Sequence, residues 1–189
     1  MSIKIKKSSK LHLGCGKIYI PNFIHVDINK YKHIDYVADI KKMKMFKNNS
    51  LDLIYACHVI EYFDDKEIEK VLKEWKRVLR KNGIIRLSVP NFDSIIKIYK
   101  KYKDINYLGI KGPIFGRWKN NKTGKFFYHK NLYDYDSLKK VLLGCGFKGI
   151  KKYNWKHTEH SQVDDYSQAY VPHMDQKGIL LSLNVEAKK

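Results

Sequence analysis

Short apolar segments that end at glycine or aspartate constrain the fold of this chain more than any other sequence feature. We predict strands at residues 10–13, 23–28, 36–38, 50–56 and 84–89. Residues 66–80 carry apolar side chains at spacings of three and four, which is typical of one helical face, and residues 92–102 are a second predicted helix. Strands that alternate with helices favour right-handed crossovers and a parallel sheet.

The segment 104–130 has a different character and is predicted to be a lid-like insertion. It contains glycine or proline at positions Gly109, Gly112, Pro113, Gly116 and Gly124. Loops of this length inside a compact domain are usually functional or mobile.

The last third of the chain is predicted to return to the sheet. A helix begins after an N-cap at Asp134 or Asp136 and ends at Leu143, and strands follow at residues 147–155 and 180–186. A loop joins these two strands, so we expect an antiparallel strand at one edge. The sequence therefore predicts a single α/β domain over residues 1–189, with a doubly wound, mostly parallel, Rossmann-like sheet of seven strands.

The composition is strongly basic, with a formal net charge of +19. Such a charge favours an anionic partner such as nucleic acid. However, 34 of the 38 basic residues are lysine, and they are spread over the whole chain. Arginine is the residue that reads phosphates and bases in a bidentate manner. Abundant isoleucine, asparagine and tyrosine, together with lysine, indicate A/T-rich codons. We therefore do not expect nucleic acid as the main partner.

Several classes of protein are disfavoured by the sequence. No apolar run approaches the roughly 20 residues of a membrane span, and the basic start leads into no apolar segment of a signal peptide. The cysteines Cys15, Cys57 and Cys145 lie far apart, without a CxxC pair. We expect a cytoplasmic protein without a zinc site or a disulfide framework, and we predict no metal site.

Three polar or glycine positions follow the first three predicted strands. Gly14 and Gly16 follow the first strand and allow the backbone to approach a ligand. Asp27 ends the second strand, where a carboxylate can accept hydrogen bonds from ribose hydroxyls. Asp39 ends the third strand and can accept a hydrogen bond from an adenine amino group. In this order the three signals predict a site for a nucleoside cofactor.

The spacing differs from the dinucleotide-binding fingerprint. Gly16 is followed by no third glycine, and Asp27 comes earlier than the acid of that motif, which lies roughly 20 residues on. Pro21 interrupts the segment where a full helix would face a pyrophosphate. S-adenosylmethionine (SAM) contains no phosphate and needs no such helix.

The chain resembles the class I SAM-dependent methyltransferases of the small type-11 group. The resemblance lies in residues 11–16 (LHLGCG), 20–28 (IPNFIHVDI), 38–40 (ADI), 50–62 (SLDLIYACHVIEY), 74–83 (EWKRVLRKNG) and 84–93 (IIRLSVPNFD). It implies a Rossmann-like methyltransferase fold with SAM as cofactor. The cofactor-binding positions that it implies are Gly14, Cys15, Gly16, Asp27, Ile28, Asp39, Ile40 and His58.

The sequence departs from the group at three positions. His12 stands where the group often has an acid that contacts the SAM amino group, and Tyr62 stands where it usually has histidine. Residues 81–83 (KNG) replace its Pro-Gly-Gly.

A hydroxyl acceptor of the methyl group would need a base. The candidates are His58 and His129, with Glu61 behind them. The polar and aromatic segment 158–175 could bind a sugar through its hydrogen-bonding side chains, which are His160, Asp164, Asp165, Tyr166, Tyr170, His173 and Asp175. An ordered surface loop is an equally good interpretation of it.

The predicted function is methyl transfer to a small polar acceptor, such as a sugar or nucleotide-sugar of surface-polysaccharide synthesis. An RNA methyltransferase and a non-catalytic adenosyl-binding protein remain alternatives. The oligomeric state is not predicted.

Overall fold

The structure is a computed structural model that describes residues 9–189. The basic start used in the signal-peptide prediction lies mostly outside this range. In chain order the strands and helices are β1 (Lys10–Leu13), β2 (Ile24–Asp27), β3 (Tyr36–Val37), β4 (Leu51–Cys57), α1 (Asp65–Val78), β5 (Leu79–Pro90), α2 (Phe92–Tyr102), α3 (Leu108–Phe115), β6 (Trp118–Lys119), β7 (Phe126–Phe127), α4 (Tyr135–Gly144), β8 (Lys148–Lys152), β9 (Tyr170–Val171), β10 (Ile179–Leu180) and β11 (Ser182–Lys188).

The main sheet has seven strands in the order β3-β2-β1-β4-β5-β11-β8. Strands β1 to β5 are parallel to one another, and β11 is antiparallel to both of its neighbours. The predicted doubly wound, mostly parallel sheet is therefore confirmed. The first strand lies next to β4 as well as β2, so the strand order reverses at β1, where such sheets bind ligands.

The position of the antiparallel strand differs from the prediction. The antiparallel strand β11 lies inside the sheet, and β8 forms the edge. The burial of the two strands explains this order. Residues 182–185 of β11 are all buried, whereas β8 is largely exposed and carries Lys148, Lys151 and Lys152. Exposed lysines on an edge strand oppose pairing with other chains.

Helix α1 has the apolar face that the sequence predicts. Its N-cap Asp64 accepts hydrogen bonds from the amides of Lys66 and Glu67, and Glu67 completes a capping box. The helix buries Ile68, Val71, Leu72, Trp75 and Val78 in the largest apolar cluster.

Helix α1 ends at Val78, two residues before the predicted end at residue 80. Leu79 is already extended and pairs with Leu51 in the sheet. Gly83 lies within β5, where a Cβ would come within 2.9 Å of the Arg80 carbonyl oxygen in the same strand and within 3.1 Å of the Leu51 carbonyl oxygen of β4. This glycine therefore permits a close backbone approach between neighbouring strands.

Of the two N-caps predicted for the late helix, the structure selects Asp134. Its carboxylate accepts a hydrogen bond from the Ser137 amide at 2.8 Å. The residues of α4 pack against the main core through Leu138 and Leu142. The insertion 104–130 contains α3 and a hairpin of β6 and β7.

Candidate active site

A cavity of about 480 Å³, here called the Asp27 cavity, lies at the carboxyl ends of β1, β2 and β4. Of the predicted cofactor-binding residues, seven line it: Gly14, Gly16, Asp27, Ile28, Asp39, Ile40 and His58. The predicted convergence of the strand ends is thus present in the fold. Cys15 does not line this cavity. Its thiol is buried, and burial raises its pKa to about 12.

The carboxylate of Asp27 is held in a fixed orientation in the wall of this cavity. One oxygen accepts a hydrogen bond from the Gly16 amide at 2.8 Å, and the other accepts one from the Asn29 amide at 2.7 Å. Asp27 is only 7% exposed. Each carboxylate oxygen has a further lone pair, so both can accept a hydrogen bond from a diol.

The two glycines of the first motif adopt positive φ angles of 60° and 54°. At Gly14 a Cβ would come within 2.7 Å of the Val59 side chain, so the loop packs directly on that residue. At Gly16 a Cβ would meet no atom within 4 Å. The absence of a side chain at Gly16 therefore leaves open space beside the Asp27 carboxylate, which fits a ribose.

Asp39 is the more exposed of the two predicted acids. Its side chain is 49% exposed, and it accepts a hydrogen bond from the Lys41 amide at 2.9 Å. The half-buried residues Ala38 and Ile40 flank it on the cavity wall. Apolar walls with one carboxylate at the rim suit a purine that carries an amino group.

The hairpin of the insertion is attached to the strand that carries Asp27. The Asn29 side chain donates a hydrogen bond to the Lys119 carbonyl oxygen at 3.0 Å and accepts one from the Asn121 amide at 2.8 Å. Within the hairpin, Trp118 stacks on Phe127 with ring centroids 4.7 Å apart, and both rings line the Asp27 cavity. The hairpin thus supplies a wall of the cavity and is held by one buried amide.

A second cavity, of about 860 Å³, lies beside the first and is here called the Tyr170 cavity. The two cavities share the wall residues Gly14, Gly16, His58, Tyr62 and Trp118. The insertion and the segment 158–175 supply much of the remaining wall. Two ligands, one in each cavity, would therefore meet at the carboxyl ends of β1 and β4.

Both predicted bases line the Tyr170 cavity, but their ring nitrogens face protein groups. His58 has Nε2 at 2.8 Å from Ser182 Oγ and Nδ1 at 3.8 Å from Glu61 Oε1. His129 has Nδ1 at 2.8 Å from the Pro113 carbonyl oxygen and Nε2 at 3.7 Å from Glu61 Oε1.

The hydrogen-bond partners assign the tautomers of the two histidines. The Ser182 hydroxyl donates to the Tyr166 carbonyl oxygen, so it accepts from Nε2–H of His58. A carbonyl can only accept, so Nδ1–H of His129 donates to Pro113. In each neutral ring the remaining nitrogen carries a lone pair that faces Glu61.

Glu61 lies buried between these two lone pairs. Among the described residues, neither of its carboxyl oxygens has a hydrogen-bond partner. Burial raises the pKa of Glu61 to about 8. Burial also lowers the pKa of His58 to about 3 and holds the pKa of His129 below its ordinary value. At neutral pH these shifts favour a protonated, uncharged Glu61 beside two neutral histidines.

The segment 158–175 is only partly in the site. Asp165, Tyr166, Tyr170 and His173 line the Tyr170 cavity, whereas Asp164, Asp175 and His160 do not. His160 is buried against the Tyr55 ring, with centroids 4.2 Å apart.

The sequence prediction missed the residues that the insertion brings to the site. Asn29 lies two residues after Asp27, but its partners are about 90 residues away in the sequence. Trp118 and Phe127 could have been suspected from the aromatic content of the insertion. Lys17 and Arg117, which line the Tyr170 cavity, carried no local signal.

Residues 9–189 show neither a metal-binding cluster nor a membrane-spanning helix. No group of three or more His, Cys, Asp or Glu side chains in this range is arranged to hold a metal ion. No helix in the same range combines the length and apolar character needed to cross a membrane.

Known proteins share this fold and part of this sequence. Residues 19–87 match the family model described as a methyltransferase domain. A SAM-dependent methyltransferase from Archaeoglobus fulgidus has 17% identity and a TM-score of 0.59, with 97% of this chain and 87% of that chain covered. A comparison with curated protein sequences finds no match.

Two further solved structures have TM-scores of 0.56. The first is a SAM-dependent methyltransferase from Methanosarcina mazei, with 18% identity, 95% of this chain covered and 91% of that chain. The second is the 1,6-didemethyltoxoflavin-N1-methyltransferase of Burkholderia thailandensis, with 12% identity, 95% of this chain covered and 70% of that chain. Its structure contains 1,6-didemethyltoxoflavin and S-adenosylhomocysteine.

The structural similarities establish the fold, and the matched residues 19–87 contain the strands that end at Asp27 and Cys57. The chain therefore has the fold of the SAM-dependent methyltransferases, and its residues 19–87 are similar to a methyltransferase domain. The match to a methyltransferase domain indicates that the reaction is the transfer of a methyl group.

Proposed function

We propose that the enzyme methylates a small polar acceptor in the Tyr170 cavity while the Asp27 cavity holds the adenosyl group of SAM. The observation that carries this proposal is the wall that the two cavities share. Gly14, Gly16, His58, Tyr62 and Trp118 belong to both cavities, so a cofactor and an acceptor can approach each other there.

In this proposal the cofactor is held by the ends of the first three strands. Asp27 accepts hydrogen bonds from the ribose hydroxyls, and Asp39 accepts one from the adenine amino group, with Ile28 and Ile40 beside them. The amide bonds from Gly16 and Asn29 fix the Asp27 carboxylate before the ligand arrives. SAM supplies an electrophilic methyl group.

The chain's own contribution to the rate is mainly orientation. Holding two reactants at near-attack distance contributes about 7–11 kcal/mol in favourable cases. His58 and His129 remain the proposed catalytic residues, and their arrangement favours a positioning role over that of a base. His58, at the end of β4, contacts Ser182 of β11, and His129 contacts Pro113 of the insertion. Both rings also face Glu61, so the two histidines link these three parts of the fold.

The sequence-based expectation of a sugar or nucleotide-sugar acceptor stays a prediction. Tyr166 and Tyr170 offer rings that could cover a sugar face, which supports it. The Burkholderia enzyme instead binds a heteroaromatic compound, 1,6-didemethyltoxoflavin.

Isothermal titration calorimetry with S-adenosylhomocysteine tests the cofactor site, and mass spectrometry of acceptor mixtures incubated with SAM tests turnover. We expect one binding site per chain and a mass gain of one methyl group in a single acceptor class. Failure of S-adenosylhomocysteine to bind at millimolar concentration would contradict the proposal.

A further inference from the structure

The side chains around the Tyr170 cavity offer more aromatic faces than the amide and aliphatic hydroxyl groups that would bind a polyol. Among its described lining residues there is no Asn, Gln, Ser, Thr or Glu. Each sugar hydroxyl that is buried without a hydrogen-bond partner would lose binding energy. The cavity is instead rich in rings, which come from Tyr62, Tyr107, Trp118, Tyr166 and Tyr170. Such a lining favours a planar ligand that stacks on aromatic faces.

The one carboxylate in the lining is already used by the protein. Asp165 accepts a hydrogen bond from the Tyr55 hydroxyl at 2.5 Å with one oxygen and one from the Ser167 amide at 2.8 Å with the other. It holds the turn before β9 against the sheet. Asp165 is therefore a poor candidate for the base that would activate a hydroxyl.

The other titratable groups of the lining are also poor bases. The nitrogens of His58 and His129 are directed at Ser182, Pro113 and Glu61, as described above. Burial keeps the pKa of His12 well below its ordinary value, and burial raises the pKa of Tyr62 above the range of a useful base. The exposed His173 at the rim is the remaining imidazole.

The cavity presents two cations. Lys17 follows Gly16, and Arg117 precedes Trp118 in the hairpin. Within residues 9–189 neither is paired with an acid, and the Arg117 guanidinium lies over the Phe126 ring at 4.3 Å from its centroid. Phe126 itself lines neither cavity, but Arg117 and Lys17 are both lining residues of the Tyr170 cavity, where a negative charge on a ligand would pair with them.

From these observations we infer that the acceptor is a planar aromatic anion whose nucleophilic oxygen or nitrogen is already ionised when it binds, with Arg117 and Lys17 as its charge partners. This inference rests on the proposed function and names the acceptor class of the same site. The acceptor loses its proton to solvent before the reaction. A bond then forms between the ionised atom and the methyl carbon, and the carbon–sulfur bond breaks with its electron pair left on sulfur. No proton is released in the transfer step, so no enzyme base is needed.

Binding of chromogenic probes to the enzyme loaded with S-adenosylhomocysteine tests the inference without turnover. The probes are a set of nitrophenols and hydroxyquinolines of different acidity, with methyl glucoside and UDP-glucose as sugar and nucleotide-sugar probes. We expect the aromatic probes to bind at least about tenfold more tightly than either sugar probe. Their absorbance should show that the ionised form is bound at a pH below the probe's own pKa. Tighter binding of UDP-glucose or methyl glucoside, or binding of the neutral phenol, would overturn the inference.

Charge-removing variants test the two cations. The double variant Lys17→Ala/Arg117→Ala should weaken probe binding by about tenfold, as expected for loss of two partly exposed charge pairs. The matched control is Lys100→Ala/Lys140→Ala, which removes two exposed charges outside the cavity and should leave probe affinity unchanged. S-adenosylhomocysteine should bind both double variants as it binds the wild type. An equal loss of S-adenosylhomocysteine affinity in the Lys17/Arg117 variant would assign these cations to the cofactor instead and overturn the inference.

The pH dependence of methyl transfer separates an ionised acceptor from an enzyme base. We expect kcat/KM to rise with pH up to the pKa of each probe, and His173→Ala to leave this profile in place. One fixed pKa for every probe, or loss of the profile in His173→Ala, would identify a base on the enzyme and contradict the inference. Failure of S-adenosylhomocysteine to bind at all would instead refute the proposed function.

Discussion

The two cavities differ in how they are built. The Asp27 cavity is formed largely by residues at the ends of parallel strands. Its carboxylate, Asp27, is held by the backbone amides of Gly16, which follows β1, and Asn29, which follows β2. The Tyr170 cavity depends on the insertion and the segment 158–175, neither of which contributes a strand to the main sheet. In the proposed function, the sheet therefore determines the cofactor site, whereas the acceptor site depends on segments that can vary without disturbing the sheet.

The largest expected effect comes from the strand-end carboxylate. Asp27→Ala should weaken S-adenosylhomocysteine binding by at least about 100-fold, because two hydrogen bonds to a charged group are lost at roughly 1.5 kcal/mol or more each. Calorimetry measures the change, and Asp93→Ala, an exposed acid on α2, is the control. A loss of threefold or less would show that the sheet does not define the cofactor site.

The buried Glu61 should make stability depend on pH. Its pKa is about 8 in the folded protein and 4.5 in the reference state, so the unfolded chain releases the proton first as the pH rises. The contribution of Glu61 to stability is therefore complete below pH 4.5 and is lost as the pH rises through about 8. Between pH 5 and 7 the free energy of unfolding should fall by about 2 kcal/mol from this group.

Denaturant titrations at several pH values give the free energy of unfolding of the wild type and of Glu61→Gln. The difference between the two proteins measures the contribution of Glu61. The variant should lack the decline, since the amide does not titrate. Glu69→Gln changes an exposed glutamate of α1 and should keep the wild-type decline. An unchanged pH dependence in Glu61→Gln would mean that Glu61 is ionised in the fold.

A smaller effect on S-adenosylhomocysteine binding is expected from Asn29, which joins the end of β2 to the hairpin of the insertion. Asn29→Ala removes both hydrogen bonds to the hairpin and should raise the dissociation rate of S-adenosylhomocysteine by about tenfold, at about 1 kcal/mol per bond with partial compensation by water. Stopped-flow displacement measures the rate. The control variant Asn106→Ala, at an exposed position outside both cavities, should change nothing. An unaltered rate in Asn29→Ala would show that the hairpin does not retain the cofactor.

The smallest effect is expected at the second strand-end acid. Asp39 is half exposed, so Asp39→Ala should weaken S-adenosylhomocysteine binding by only about threefold, as for a solvent-screened contact. The same calorimetric titration measures it. A loss as large as that of Asp27→Ala would contradict the ranking of the two acids by burial.

The sheet and the cofactor cavity could be predicted because their signals are local. Gly14, Asp27 and Asp39 each follow an apolar run of a few residues, and parallel strands bring such ends to one edge of the sheet. The order of β8 and β11 was missed because the prediction did not weigh the lysines of β8, which favour the exposed edge.

The contacts of the insertion and of the two histidines could not be predicted to the same degree. The contact of Asn29 with Lys119 joins residues 90 positions apart, and no motif or hydrophobic periodicity in the sequence predicts it. The ring nitrogens of His58 and His129 are paired with Ser182 and Pro113, which only the tertiary structure reveals. Sequence reasoning found the two histidines but could not assign the directions of their nitrogens.

The most direct test of the account is a crystal structure of the enzyme with S-adenosylhomocysteine. The account predicts the adenosyl group in the Asp27 cavity, with both ribose hydroxyls within hydrogen-bond distance of the Asp27 carboxylate and the adenine beside Asp39. A ligand bound elsewhere, or a ribose that does not touch Asp27, would contradict it.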